Sequence, residues 1–369
     1  MRPENEAELA EMIKTADGPL SIRGGATRGV LTEGTPIETG GLSGISLYDP
    51  GALTLVVKAG TPLADIETAL DTEGQRLPFE PMDHRGLLGT SGAPTIGGIA
   101  AGNISGPRRI QAGACRDLML GVRFVDGQGT VVKNGGRVMK NVTGYDLVKL
   151  MAGSWGSLGA LTEVSFKVLP TPEATATVIL TGLSDEDAVS AMSKALGSPF
   201  DVTGAAHISA SDPADAKTMI RIEGFEGSVT YRAGELRDLF KTHDVSVETD
   251  PTQCAALWSA IRDVEPLQGR SGDVWKVSCK PSDGPELARR LQAEAVMFDW
   301  GGGLIWACLP EGTDARTQLG AFGGHATLVR GAAKTPRFHP EPAVLATLSQ
   351  GLRDKFDPRG ILNPRVMTG

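Results

Sequence analysis

Apolar positions spaced three and four apart give way along this chain to stretches of alternating or continuous apolar residues. The two periods together predict a mixed α and β fold. Leu9, Met12 and Ile13 share one face of residues 4–15, behind Pro3 and with Glu4 and Glu6 in the first turn, so this segment reads as a short helix. Residues 19–23 read as a strand that runs into Gly24-Gly25, and residues 53–59 as a second strand. Thr61-Pro62 then reads as the N-cap and first residue of a helix closed at Gly74. Strands are predicted at 118–125 and 130–133, joined by the turn Asp126-Gly127. Another is predicted at 160–169, and it stops in Leu169-Pro170-Thr171-Pro172, a boundary signal.

Beyond that boundary the texture changes. The pattern predicts a strand at 176–181, a helix at 185–196, strands at 203–209 and 217–223, a helix at 228–241 and a strand at 244–249. That order is a split βαββαβ motif. Helices near 251–264 and 284–295 and strands at 273–279, 303–309 and 326–330 follow, then a helix at 341–356 and a proline-bearing tail. No repeat at a fixed period and no low-complexity tract is visible. The expected fold class is α+β, and 369 residues predict two domains.

Composition narrows the function. With 36 Lys and Arg against 44 Asp and Glu the net charge is −8, which argues against a general nucleic-acid binder. No apolar run approaches the length of a membrane span, and the start Met1-Arg2-Pro3-Glu4 has no signal-peptide character. Cys115, Cys254, Cys279 and Cys308 are too scattered for an iron–sulfur cluster and fit a reducing, cytoplasmic setting. The five histidines include no close pair, so no metal site is expected. Asn103-Ile104-Ser105 and Asn141-Val142-Thr143 match a glycosylation sequon by chance.

The 48 glycines form their dense clusters mostly before residue 160, where backbone must turn tightly or approach a ligand. In the first cluster, Arg23-Gly24-Gly25-Ala26-Thr27-Arg28-Gly29 follows a strand. Its successive N–H groups can form a nest for a diphosphate, with Thr27 adding a hydroxyl; a plain tight turn reads equally well. The second, Thr95-Ile96-Gly97-Gly98-Ile99-Ala100-Ala101-Gly102-Asn103-Ile104-Ser105-Gly106, has little side-chain volume to bury. It suits a flat ligand lying on main chain, or a helix packed closely on a sheet. The third runs from Asn141-Val142-Thr143-Gly144-Tyr145-Asp146-Leu147 through Gly153-Ser154-Trp155-Gly156-Ser157-Leu158-Gly159; it resembles a GxxGxxG string but lies mid-chain and leads into a strand. A nicotinamide-binding Rossmann unit would carry its fingerprint in the first βα turn.

These three stretches, in this order, resemble the FAD-binding half of the vanillyl-alcohol oxidase and p-cresol methylhydroxylase superfamily. The tail Asp357-Pro-Arg-Gly-Ile-Leu-Asn-Pro364 resembles its C-terminal signature. The strings Gly102-Asn-Ile-Ser-Gly-Pro-Arg-Arg109 and Gly135-Gly-Arg-Val-Met-Lys-Asn-Val-Thr-Gly-Tyr-Asp146, with the modest length, are similar to the family of FAD-binding E subunits of glycolate oxidase. The resemblance implies an FAD-binding domain over 1–172, an α+β cap over 173–335, and a segment 336–369 returning to the first domain. It implies FAD held by Arg23, Gly24, Gly25, Ala26, Thr27, Arg28, Thr95, Ile96, Gly97, Gly98, Ala101, Gly102, Asn103, Ser105, Gly106, Gly156, Gly159 and Asn363. It also implies a larger FAD subunit and an iron–sulfur subunit as partners, glycolate oxidised to glyoxylate, and peripheral contact with the inner membrane face through those partners. The alternative is a self-sufficient dehydrogenase of another small 2-hydroxy acid or alcohol.

Two departures qualify the resemblance. Ala26 stands where many relatives place a histidine bonded to the flavin, so FAD is expected to be non-covalent. The histidine-rich HxGDGNxH motif of the catalytic members is missing, so no catalytic residue is assigned. His325 and Arg330 are candidates for a base and a carboxylate partner, or plain surface residues. Arg108 and Arg109 are candidates for phosphate or partner contacts, or solvated surface. Tyr145 and Trp155 read as cofactor contacts or aromatic core, and Cys115 as a small buried residue.

Overall fold

The computed structural model of the protein describes residues 1–30, 32–136, 144–331 and 335–367. Residues 137–143, with the second sequon and half of the 135–146 string, lie outside the described residues.

The chain opens with α1 (Glu6–Lys14), capped by the Asn5 side chain accepting from Glu8 N–H, and buries Leu9 and Ile13. β1 (Leu20–Arg23) pairs in parallel with β2 (Thr35–Glu38). β3 (Ile45–Asp49), β4 (Thr54–Lys58), α2 (Leu63–Asp71), β5 (Gln75–Arg76), α3 (Arg85–Leu88) and α4 (Ile96–Gly102) follow. Next come α5 (Arg109–Ala112), α6 (Cys115–Leu118), β6 (Met119–Val125), β7 (Val131–Gly135), α7 (Leu147–Met151), β8 (Ala160–Lys167) and β9 (Leu169–Pro170). Five of these strands make an antiparallel sheet in the order β3-β4-β8-β6-β7. Its α2 differs from expectation: Pro62, not Thr61, occupies the N-cap, because the Thr61 hydroxyl donates to Lys58 O at 2.7 Å and accepts from Gly44 N–H.

The second part holds β10 (Ala174–Thr181), α8 (Asp185–Leu196), β11 (Val202–Ile208), β12 (Lys217–Gly224), α9 (Glu226–Leu239), β13 (Asp244–Glu248) and α10 (Pro251–Arg262). It continues with β14 (Asp273–Cys279), α11 (Gly284–Leu291), β15 (Ala295–Asp299), β16 (Leu304–Leu309), α12 (Ala315–Leu319), β17 (Gly324–Arg330) and α13 (Ala343–Phe356). All eight strands form one antiparallel sheet, ordered β13-β10-β12-β11-β15-β16-β14-β17. That order is the expected βαββαβ unit placed beside a second one, β14-α11-β15-β16-α12-β17, and the two meet along β11 and β15. The second copy was not legible as a repeat. Gln292 ends α11 in the left-handed region, at φ 46°, short of the expected end at 295, and Ala295–Asp299 forms a strand that was not expected.

The two faces of this sheet have different neighbours. Trp275, Val277, Phe298 and Ile305 pack in one core cluster with residues of α8, α9, α11 and α12. Met297, Trp306, Cys308 and Val329 instead join one core with Phe79, Met82, Leu87 and Ile104 of the first part. Buried charges cross the same boundary. Glu223 on β12 pairs with Arg76 at 2.8 Å and with Arg108, while Arg221 pairs with Glu80 at 2.8 Å. After α13 the tail returns to β1: Leu20 N–H donates to Ile361 O at 2.7 Å and Asn363 N–H to Leu20 O at 3.0 Å.

Candidate functional site

Beyond Arg23 the chain leaves β1 through Gly24 and Gly25, reaches Ala26 at φ 52°, and turns back with Arg28. The turn lies against the segment that leads into α4. A Cβ on Gly24 would stand 2.1 Å from Thr95 Oγ1, and one on Gly25 would stand 1.7 Å from Ala93 O. Both glycines are therefore required for two chain segments to touch, before any ligand is considered. Between these segments opens a cleft of about 780 Å³, counted to its open mouth. Its walls include Arg23 through Arg28, Thr95, Gly97, Gly98 and Ala101, then Gly156, Gly159 and Asn363.

Thirteen of the eighteen residues expected at a cofactor are thus brought together. The remaining five do not line the cleft, and each has another task. Ile96 is fully buried in the core. Gly102 faces Ile104 and Trp155. Asn103 caps α4 and accepts from Arg116 N–H, and the Ser105 hydroxyl accepts from Cys115 N–H at 2.9 Å. Gly106 O accepts from Trp300 Nε1 at 3.0 Å. Six wall residues had not been singled out: Ile22, Val30, Thr32, Thr39, Ala59 and Leu161. They are ordinary strand and loop residues, so no sequence signal marked them, whereas Trp155, a candidate cofactor contact, does line the wall.

The donors of the cleft lie in the first turn. No acceptor for the N–H groups of Gly24, Gly25, Ala26 and Thr27 exists among the described residues. At α4 the main chain is already spent: Ile96 N–H donates to Thr61 O, Gly97 N–H to Ala59 O, and Gly98 N–H to Thr95 Oγ1. Arg28 reaches across, so that a Cβ on Gly98 would meet its Nη1 at 2.8 Å. Its Nε is buried without a partner, and burial lowers the guanidinium to about 10. Four free amides and one unpaired cation make a site for an anion with several oxygens. Asn363 closes the wall, accepting from Ile22 N–H at 2.6 Å and donating to Trp155 O at 2.7 Å.

The single residues fall elsewhere. Arg108 is buried and pairs with Glu223, and Arg330 is committed to the carbonyls of Leu87, Leu267, Arg270 and Gly272. Neither points its charge at the cleft. Tyr145 is 89% exposed, so it is neither core nor cleft wall. Trp155 lines the cleft and packs on Phe338 with ring centres 5.5 Å apart. His325 lies in a second cleft with Thr327, Phe338 and His339. Burial and the nearby Lys276 lower its pKa. Cys115 is buried as expected, and burial raises its thiol.

Residues 1–135 match the model of an FAD binding domain family. Over 354 residues, 95% of this chain and 92% of the relative, the sequence is 36% identical to glycolate oxidase subunit GlcE of Escherichia coli K12. The chain belongs to the GlcE family. This is a family of FAD-binding oxidoreductase subunits. Glycolate oxidase subunit GlcD of Bacillus subtilis 168 is 31% identical over 187 residues, 48% of this chain and 38% of that one. Among solved structures, an alkyldihydroxyacetonephosphate synthase superposes with a TM-score of 0.74, covering 99% of this chain and 75% of the other, at 16% identity. It shows the fold, which is that of the vanillyl-alcohol oxidase type. The cleft therefore sits in a family that binds FAD, and its free amides, Arg28 and flush glycines fit a dinucleotide diphosphate. Among the described residues no helix is long and apolar enough to cross a membrane.

Proposed function

We propose that this chain holds one FAD non-covalently in the cleft between residues 22–28 and 95–101 and serves as the E-type subunit of a glycolate oxidase. The carrying observation is the turn at Gly24–Thr27, whose four N–H groups have no acceptor among the described residues and stand beside Arg28, likewise without a partner there. On this reading those amides and Arg28 hold the diphosphate, and Asn363 locks β1 to the 155–159 turn around the cofactor. Ala26 has no nucleophile, so nothing at that position ties the flavin covalently.

When bound, FAD supplies a two-electron acceptor, and oxidation of glycolate to glyoxylate releases two electrons and two protons. The partners would be a larger FAD subunit and an iron–sulfur subunit, with electrons leaving through the latter; no CxxC pair exists here to hold a cluster. Residues 1–172 and 336–369 would form the FAD-binding domain and 173–335 the cap.

The test is spectroscopic. Chain purified with excess FAD should be yellow and release its flavin on acid precipitation; a colourless protein, or a flavin that stays with the pellet, overturns the non-covalent reading. Co-purification from the native source should recover a larger flavoprotein and an iron–sulfur protein. Recovery of the chain alone, with its flavin bleached by glycolate, would favour the self-sufficient dehydrogenase.

A further inference from the structure

Arg28, Arg109 and Lys276 are half-buried and have no hydrogen-bond or ion-pair partner among the described residues. Arg28 belongs to the cofactor cleft. The other two both lie against one indole. The Arg109 guanidinium lies 4.2 Å from the Trp300 ring centre, and the Lys276 ammonium lies 5.3 Å from it and 5.6 Å from the Trp306 ring centre. Arg109 comes from α5, in the first part of the chain. Lys276 comes from β14, where it pairs with Trp306 and Thr327 on the face of the eight-stranded sheet that joins the first part's core. The Trp300 indole spans the same boundary by donating to Gly106 O.

Two like charges on one indole repel each other, and burial adds to the cost of keeping them charged. Burial and then Arg109 hold Lys276 down to about 8, so it remains a cation at neutral pH. The carboxylate nearest in effect, Asp299, does not neutralise it. Asp299 accepts from Trp300 N–H, forms no ion pair among the described residues, and burial raises it to about 7. His84 feels the charge of both Lys276 and the cleft's Arg28. It is buried, and after burial the charges of Arg28 and of Lys276 keep it neutral, at about 3. Its Nδ1 faces Met82 O at 3.3 Å, which as a donor leaves Nε2 an acceptor.

We infer that Lys276 and Arg109, set over the Trp300 indole between the cofactor cleft and the eight-stranded sheet, form a subsite for the carboxylate of a small 2-hydroxy or 2-oxo acid. The inference rests on the flavoprotein reading above and deepens it by assigning a place to the substrate's charge. A carboxylate bound against both cations would offset their charges and their mutual repulsion. Partial burial of both cations strengthens such a pairing over one in open water. The neutral His84 is the nearby group able to accept a hydrogen bond from a 2-hydroxyl.

The experiment is calorimetric titration of the FAD-loaded full-length chain with glycolate, with glycolamide, which keeps the hydroxyl and lacks the charge, and with inorganic phosphate. Glycolate should bind, glycolamide should not, and phosphate should bind at least tenfold more weakly. Lys276→Met and Arg109→Gln should each weaken glycolate binding about 10- to 100-fold, the range for losing one charge-assisted hydrogen bond. Their flavin content should stay at the level of the unmodified chain. Lys276→Arg keeps the charge and should retain binding even where the methionine variant does not fold. A yellow protein with a flat glycolate isotherm, or unchanged affinity in Lys276→Met, overturns the subsite and leaves the FAD reading standing. Phosphate binding as tight as glycolate overturns the assignment to hydroxy acids. A chain that takes up no FAD overturns the reading on which both depend.

Discussion

Gly25 and Ala26 are neighbours in one turn with opposite requirements. Gly25 has no room for a side chain, since a Cβ would overlap the Ala93 carbonyl, so Gly25→Ala must push the turn off the 93–95 segment. Loss of flavin binding is expected, read as visible absorbance retained after gel filtration; retention at the unmodified level would refute the contact. Ala26 sits at φ 52°, a strained value for a residue with a Cβ. Ala26→Gly should therefore leave stability unchanged or raise it by about 0.5–1 kcal/mol, less the added freedom of the unfolded chain. Asn363 makes both of its cleft-closing bonds from one amide, so Asn363→Ala orphans Ile22 N–H and Trp155 O. A loss of about 1–3 kcal/mol is expected in denaturant unfolding of the flavin-free chain. The readings of Arg108 and Arg330 were revised for one reason: where a charge finds its partner depends on which segments meet. Arg108 found Glu223, 115 positions away in sequence.

At the scale of elements, boundaries set by local chemistry were legible. α8 begins after Ser184, whose hydroxyl accepts from Asp187 N–H at 3.1 Å, with Asp185, Glu186 and Asp187 in the first turn. Ser184→Ala should cost about 1 kcal/mol, measured as a shift of the thermal midpoint; no shift would mean that the cap contributes nothing. β15 was missed because the expected helix ran to residue 295, the first of the strand, and the four apolar and acidic residues left over were too short a run to read as a strand. α13 shows the limit of pattern reading in another way. Its apolar residues Val344 and Leu348 are 74% and 62% exposed, and none of its residues is buried. Leu348→Lys should change the stability of the isolated chain by less than about 0.5 kcal/mol. A larger loss would show that the helix packs on the fold.

For the whole molecule, the decisive feature is the boundary where the eight-stranded sheet meets the first part. Glu223 lies there among three arginines. Burial alone would raise its carboxyl, but Arg221, Arg108 and Arg76 outweigh it and hold it at about 2. A carboxylate held below its unfolded value near 4.5 adds stability above that value. The contribution is lost as pH falls from about 4.5 to 2. Glu223→Gln should lower stability by several kcal/mol at pH 7, and its deficit against the unmodified chain should shrink across that window. Urea midpoints at pH 7, 4 and 3 check this; a constant deficit would place the pH dependence elsewhere.

The sequence by itself determined the local matters: the strand ending in glycines, the small-residue stretch, the first βαββαβ unit, the absence of a histidine at position 26, and the family. These are set by backbone freedom and by side-chain periodicity within a few residues. Only the tertiary structure decided which of the glycine stretches supplies free donors. The α4 amides are consumed by Thr61 and Ala59, across the junction of β4 and α2, so the burden falls on residues 24–27. Only the fold revealed the second βαββαβ unit, because its repetition is one of strand order and not of residues. It also brought Lys276 and Arg109 to one indole. Neither carries a motif, and the meaning of an unpaired charge depends on what the rest of the chain leaves around it.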